Sequence, residues 1–92
     1  MKLAIIGVTG LVGQEMLKVV EELDIPIKEL IPIASEKSLG KIIPFKNKEY
    51  TVCSIEQALL QKPDIAIYSA GSSLSLKTAK LFAQAGTFVI DN

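Results

Sequence analysis

The spacing of apolar residues changes several times along the chain. Leu3-Ala4-Ile5-Ile6 is an unbroken apolar run, rich in isoleucine and bounded by Gly7. Such a run suits a strand buried on both faces of a parallel sheet. From Leu11 the period lengthens: Val12, Met16, Val19/Val20 and Leu23 recur at three- and four-residue steps, with Glu15, Lys18, Glu21 and Glu22 between them. That pattern predicts an amphipathic helix over Leu11–Leu23, closed by Asp24 and Pro26. Lys28–Ala34 reads as a second extended segment, weakened by Pro32, which has no N–H for a ladder. Ser35–Lys41 is polar and loop-like. Ile42–Phe45 and Glu49–Val52 flank Lys46-Asn47-Lys48 and predict a β-hairpin at a sheet edge. Ser54 with Gln57 three residues on forms a capping box, so a short helix is expected over Ile55–Gln61, ending before Pro63. Asp64–Tyr68 is a further buried strand, followed by a helix over Leu74–Ala85 with Gly86 beyond it. Thr87–Ile90 is the last strand.

The order is therefore β-α-β-hairpin-α-β-α-β. Alternating strands and helices require right-handed crossovers. The expected fold is α/β: a Rossmann-like, doubly wound, mostly parallel sheet with helices on both faces, one domain over residues 1–92. In such a sheet the turn after the first strand lies at the carboxyl edge, where ligands bind.

Composition narrows the chemistry. The 92 residues contain ten basic and ten acidic side chains and no His; every basic residue is Lys. A net charge of zero offers no basic surface for nucleic acid. Without His, the commonest general base and metal ligand are both missing, so no metal site and no catalytic residue is expected within these residues. The single Cys excludes an internal disulfide. No apolar stretch approaches the ~18 residues of a membrane span, and Leu3–Ile6 is too short for a signal peptide, so the expected location is cytoplasmic.

Gly7, Gly10 and Gly13 recur at intervals of three between the first strand and the first helix. A dinucleotide pyrophosphate requires backbone N–H donors, a helix N-terminus and no Cβ in the way. Gly7 can take up the tight turn, Gly10 can admit the phosphates, and Gly13 can let helix and strand pack closely. Thr9 is placed to cap the helix or to touch a phosphate. The alternative is a close-packed turn with no ligand. At the end of the second strand, Ser35, Lys37 and Ser38 offer two hydroxyls and one ammonium to a ribose 2′-phosphate, which favours NADP; Glu36 and the possibility of a merely solvated loop leave NAD open. Ser69-Ala70-Gly71 repeats the small-residue turn and either lines the cofactor cleft or only precedes a helix. Cys53 has no His to activate it and reads as a small, half-buried residue.

These residues together resemble the N-terminal, nucleotide-binding part of aspartate-semialdehyde dehydrogenase. The resemblance is carried by Ile6–Glu15, by Ala34–Lys41, by Tyr68-Ser69-Ala70-Gly71 and by Val89-Ile90-Asp91-Asn92, in the family's order and spacing. It implies an enzyme that reduces aspartyl 4-phosphate to aspartate semialdehyde with NADPH, in lysine, threonine and methionine biosynthesis. It also implies that Thr9, Gly10, Leu11 and Val12 contact the cofactor phosphates, that Lys37 and Ser38 meet the 2′-phosphate, and that Ser69, Ala70 and Gly71 line the cleft. The family's catalytic cysteine and histidine fall outside this stretch, which on this reading is inactive alone and belongs to a homodimeric or homotetrameric parent. Lys37 stands where the family commonly has Arg, giving charge without a bidentate fork. Other readings are a fragment of an acetylglutamyl-phosphate reductase, of an extended short-chain dehydrogenase, or a non-catalytic NADP-binding module.

Overall fold

The structure, a computed structural model, describes residues 1–69 and 75–91, the side chains at 75–77 and 91 excepted. In chain order the elements are β1 (Lys2–Ile6), α1 (Leu11–Glu22), β2 (Glu29–Ile33), a single 3-10 turn (Glu36–Ser38), β3 (Ile42–Phe45), β4 (Lys48–Thr51), α2 (Ile55–Gln61), β5 (Ile65–Tyr68), α3 (Ser75–Gln84) and β6 (Phe88–Asp91). The main sheet runs β2-β1-β5-β6 with every pair parallel. Strand order reverses between β1 and β5, and this is the switch point at whose carboxyl edge ligands bind in doubly wound sheets.

Side-chain alternation along β1 divides the core into two layers. Leu3 and Ile5 face α1 and the β3–β4 hairpin, in a cluster with Val20, Leu30, Phe45 and Val52. Ala4 and Ile6 face α2 and α3, clustered with Ile33, Ala58, Tyr68 and Phe82. The Tyr68 hydroxyl, fully buried, lies 2.7 Å from Thr78 Oγ1 on α3. The expected hairpin forms with Ile43 opposite Tyr50, and Lys46 and Asn47 at its tip both have positive φ (49° and 66°), as a tight two-residue turn requires.

Pro32 sits inside β2 without penalty for a geometric reason. Its carbonyl points away from β1 and accepts from Cys53 N at 2.9 Å. The N–H it lacks would have pointed the same way, so no β1–β2 bond is lost. The neighbouring Ile33 carbonyl points towards β1 and accepts from Gly7 and Val8.

One expectation needs correction. The expected apolar stripe of α1 is Val12, Met16, Val19/Val20 and Leu23. Of these Val20 is buried, beside Gly13 and with Leu17 packed next to it, while Val12, Val19 and Leu23 are exposed. Gly13 draws the helix axis so close to β1 that the face carrying it, one residue along the wheel, is the face that packs. The short turn at Glu36–Ser38 also replaces part of the expected irregular loop.

The capping box at α2 forms as expected: Ser54 Oγ accepts from Gln57 N at 3.2 Å, and Gln57 Oε1 accepts from Ser54 N at 3.0 Å. Replacing Ser54 by Ala should lower stability by about 1 kcal/mol in urea unfolding, with no change in the slope against denaturant.

Candidate functional site

The carboxyl ends of β1, β2 and β5 converge on the glycine turn. Gly7, at φ 83°, turns the chain sharply out of β1, and the amides of Gly7 and Val8 donate to Ile33 O at 2.8 and 3.1 Å. Gly10 N donates to Gly7 O at 3.1 Å. From β5, buried Ser69 donates through its amide to Ile6 O (3.1 Å) and through Oγ to Gly7 O (3.4 Å). Hydrogen bonds from the ends of β2 and β5 thus hold the turn that follows β1.

Gly13 completes the arrangement from the helix side. A Cβ at this position would lie 2.1 Å from Gly7 O and 2.8 Å from the Val8 Cα, which are backbone atoms that cannot step aside. Gly10 is different in kind. A Cβ there would meet nothing closer than Gly7 O at 3.5 Å, an ordinary contact, and its φ of −75° suits any residue. Packing therefore explains Gly13 and does not explain Gly10. A bare backbone at Gly10 opens the space in front of the helix.

That space faces the start of α1. The first amides of a helix have no partner within it, and no side chain caps this one. The N–H groups of Leu11, Val12 and Gly13 carry the positive end of the helix dipole, and the first turn holds no acidic residue to compete with an anion. The side chains of Leu11 and Val12 are both exposed. The Thr9 side chain does not cap the helix. Thr9 Oγ1 instead lies 3.4 Å from Ser38 Oγ, and Thr9 O accepts from Gln14 Nε2 at 2.9 Å.

The Thr9–Ser38 contact joins the glycine turn to the 3-10 turn after β2. Ser38 is buried and held within this contact, whereas Ser35, Glu36 and Lys37 are exposed. Beside them runs a groove of about 350 Å³ between the 3-10 turn, α2 and α3, lined by Ala34, Ser35, Glu36, Leu39, Thr78 and Leu81 among others. Sequence reasoning did not single out Leu39, Thr78 or Leu81. Their only signal was an apolar residue beside a polar loop, and helical positions that the fold alone brings opposite it. Ala70 and Gly71 lie outside the described residues.

Cys53 stands apart from this site. It is half-buried where the chain bridges β2 at Ile33, and Gln61 Nε2 lies 3.9 Å from its sulfur. Burial raises its pKa above the ordinary thiol range, with the Gln61 contact opposing in part. A thiol held protonated at neutral pH is a poor nucleophile. Among the described residues no group of His, Cys, Asp and Glu is arranged to hold a metal ion, and no helix is long and apolar enough to cross a membrane.

The sequence matches the family described as semialdehyde dehydrogenase, NAD binding domain, over residues 2–92. The chain belongs to this family. Similar to this semialdehyde dehydrogenase domain is the aspartate-semialdehyde dehydrogenase of Campylobacter jejuni, 47% identical over 93 residues that cover 99% of this chain and 27% of that protein. The Aquifex aeolicus aspartate-semialdehyde dehydrogenase is 49% identical over 92 residues, with 99% and 27% covered. Among solved structures, aspartate semialdehyde dehydrogenase II from Vibrio cholerae complexed with ASA matches with a TM-score of 0.91 at 44% identity, over 99% of this chain and 30% of that one. The domain thus spans about a quarter of the length of the curated relatives it matches.

The two inner glycines should separate in a stability measurement. Gly13→Ala gains about 1 kcal/mol of helix propensity but meets backbone at 2.1 Å, so a net loss of about 2 kcal/mol or more is expected. Gly10→Ala should cost no more than about 1 kcal/mol, the usual loss at an N-cap. Thermal melts of the two variants check this; equal losses would contradict the packing role of Gly13.

Proposed function

We propose that these 92 residues hold the nicotinamide dinucleotide of an aspartate-semialdehyde dehydrogenase, with NADP(H) preferred to NAD(H). The observation that carries the reading is the uncapped start of α1 behind Gly10, a position kept bare although a Cβ would fit the protein. Bare backbone and free amides fit a pyrophosphate, which accepts hydrogen bonds from Leu11, Val12 and Gly13 and interacts favourably with the helix dipole. Gly7, Thr9, Ser38 and Ser69 hold the turn in shape rather than contact the phosphates. The adenine lies in the groove between Leu39 and Leu81, with Thr78 at its rim, and the adenosine ribose lies at Ser35.

The preference for NADP rests on Ser35 and Lys37, exposed together at the end of β2. A single ammonium without a guanidinium fork makes this preference modest, and Glu36 on the groove side opposes it. The similarity to enzymes of that name supports a parent enzyme in which NADPH, held by these residues, would supply the reducing equivalents that convert aspartyl 4-phosphate to aspartate semialdehyde and phosphate. Cys53 takes no part, because its thiol is protonated and unaccompanied by a base. The catalytic thiol and acid–base group belong to other parts of that enzyme, a cytoplasmic homo-oligomer, and these residues alone catalyse nothing.

Calorimetric titration with NADPH and NADH tests the reading. NADPH should bind more tightly than NADH, and Lys37→Ala should weaken NADPH about fivefold, the worth of one exposed ion pair, while sparing NADH. Gly10→Ala should weaken both at least tenfold. Failure of both nucleotides to bind would overturn the proposed function, and tighter binding of NADH would overturn the NADP preference alone.

A further inference from the structure

The main sheet ends on one side at β2, and β4 of the hairpin runs beside it without joining it. The two are tied at one point: Cys53 N donates to Pro32 O, which sets Cys53 opposite Ile33 in parallel register. Carried back along both strands, that register places Thr51 opposite Ile31 and Glu49 opposite Glu29. A parallel ladder in this register has three further rungs: Thr51 N to Leu30 O, Leu30 N to Glu49 O, and residue 32 N to Thr51 O. Pro32 has no N–H for the last. The first two are not formed either.

The backbone groups of these rungs nevertheless face the seam. Alternation along β2 makes Leu30 point the same way as the Pro32 carbonyl, away from β1. On β4, Val52 N donates to Lys41 O, and Glu49 stands opposite Pro44, which has no N–H. Thr51 and Glu49 therefore turn their amides and carbonyls away from β3, to the side where β2 lies.

Leu30 is only 1% exposed, and among the described residues nothing bonds its amide or its carbonyl. Buried backbone N–H and C=O groups are rarely left without a partner. Between the strands lies a cavity of about 200 Å³, lined by Glu29, Leu30, Pro32, Glu49, Thr51 and Cys53 among others. At about 30 Å³ apiece it has room for several waters.

The lining also selects among small occupants. An anion would meet the Leu30 carbonyl, with Glu29 and Glu49 bringing two negative charges to the border. A cation would meet the N–H groups of Leu30 and Thr51. Water both accepts and donates, and so suits each group. We infer that bound water closes the seam between β2 and β4. One water accepts from Leu30 N–H and donates to Glu49 C=O; a second accepts from Thr51 N–H and donates to Leu30 C=O. The hairpin is thereby joined to the sheet through water, and Pro32 withholds the N–H that would complete a direct ladder. The inference is independent of which dinucleotide binds at the glycine turn.

The test uses 1H–15N spectra of the chain, filtered for contact with water. They are recorded on the Tyr50→Phe/Thr51→Val variant, which removes both hydroxyls from the cavity wall so that hydroxyl protons do not imitate water. The Leu30 amide should show cross-peaks to water of opposite sign in the laboratory and rotating frames, the mark of bound water. The Ile31 amide, which pairs with β1, should show none. No hydrogen-bond coupling should cross the seam, from Leu30 N to the Glu49 carbonyl carbon or from residue 51 N to the Leu30 carbonyl carbon. Either coupling would mean that the strands close directly and would overturn the inference. A Leu30 amide with neither coupling nor water contact would mean a dry seam and overturn it equally.

Discussion

The approach of α1 to the end of β1 governs everything at the carboxyl edge. Gly13 lets the helix come within a distance at which one methyl group would strike the Gly7 carbonyl. That carbonyl in turn receives Gly10 N and Ser69 Oγ, while the adjacent amides are anchored on Ile33 O. One close contact thus ties together three strands and a helix, and it aims the helix start at open space. Amides used up in these bonds are those of Gly7, Val8 and Gly10; those left for a ligand are the ones that follow. The division is physical: a turn held by its own hydrogen bonds needs no ligand to keep its shape, so the proposed anion site would be preorganised.

The same close approach shapes the rest of the domain. By seating α1 on Gly13, Leu17 and Val20, it rolls the helix so that its longest apolar stripe looks sideways along the sheet. The hairpin takes the other flank, held by Lys46, whose amide bonds Glu21 and whose ammonium reaches Ile25 O at 2.7 Å. The polar carboxyl edge and the exposed apolar flank of α1 are thus two consequences of one helix placement.

Much of this was legible in the sequence. Apolar runs of four or five residues located β1, β5 and β6, the Ser54–Gln57 pair placed α2 correctly, and the glycine spacing marked the turn between β1 and α1. What periodicity did not reveal was which side of α1 is buried. An apolar stripe and a glycine one residue away compete for the interface, and the distance of closest approach decides for the glycine. Nor did it separate Gly10 from Gly13, which look alike in the chain and differ only in what surrounds their missing Cβ. The roles of Thr9 and Ser38 required the fold, because their 3.4 Å contact spans 29 positions. Leu39 follows the 3-10 turn, whereas Thr78 and Leu81 lie on α3, and they meet only when α3 crosses above the end of β2.

The central claim is that the free amides at the start of α1 form an anion cradle for a dinucleotide. Amide chemical shifts in 1H–15N spectra, recorded as NADPH is added, address it residue by residue. The account predicts the largest shifts at Leu11, Val12 and Gly13, smaller ones at Ser35 and Lys37, and none at Cys53 or Gln61. Shifts centred on Cys53 and Gln61, with the amides of Leu11–Gly13 unmoved, would contradict it.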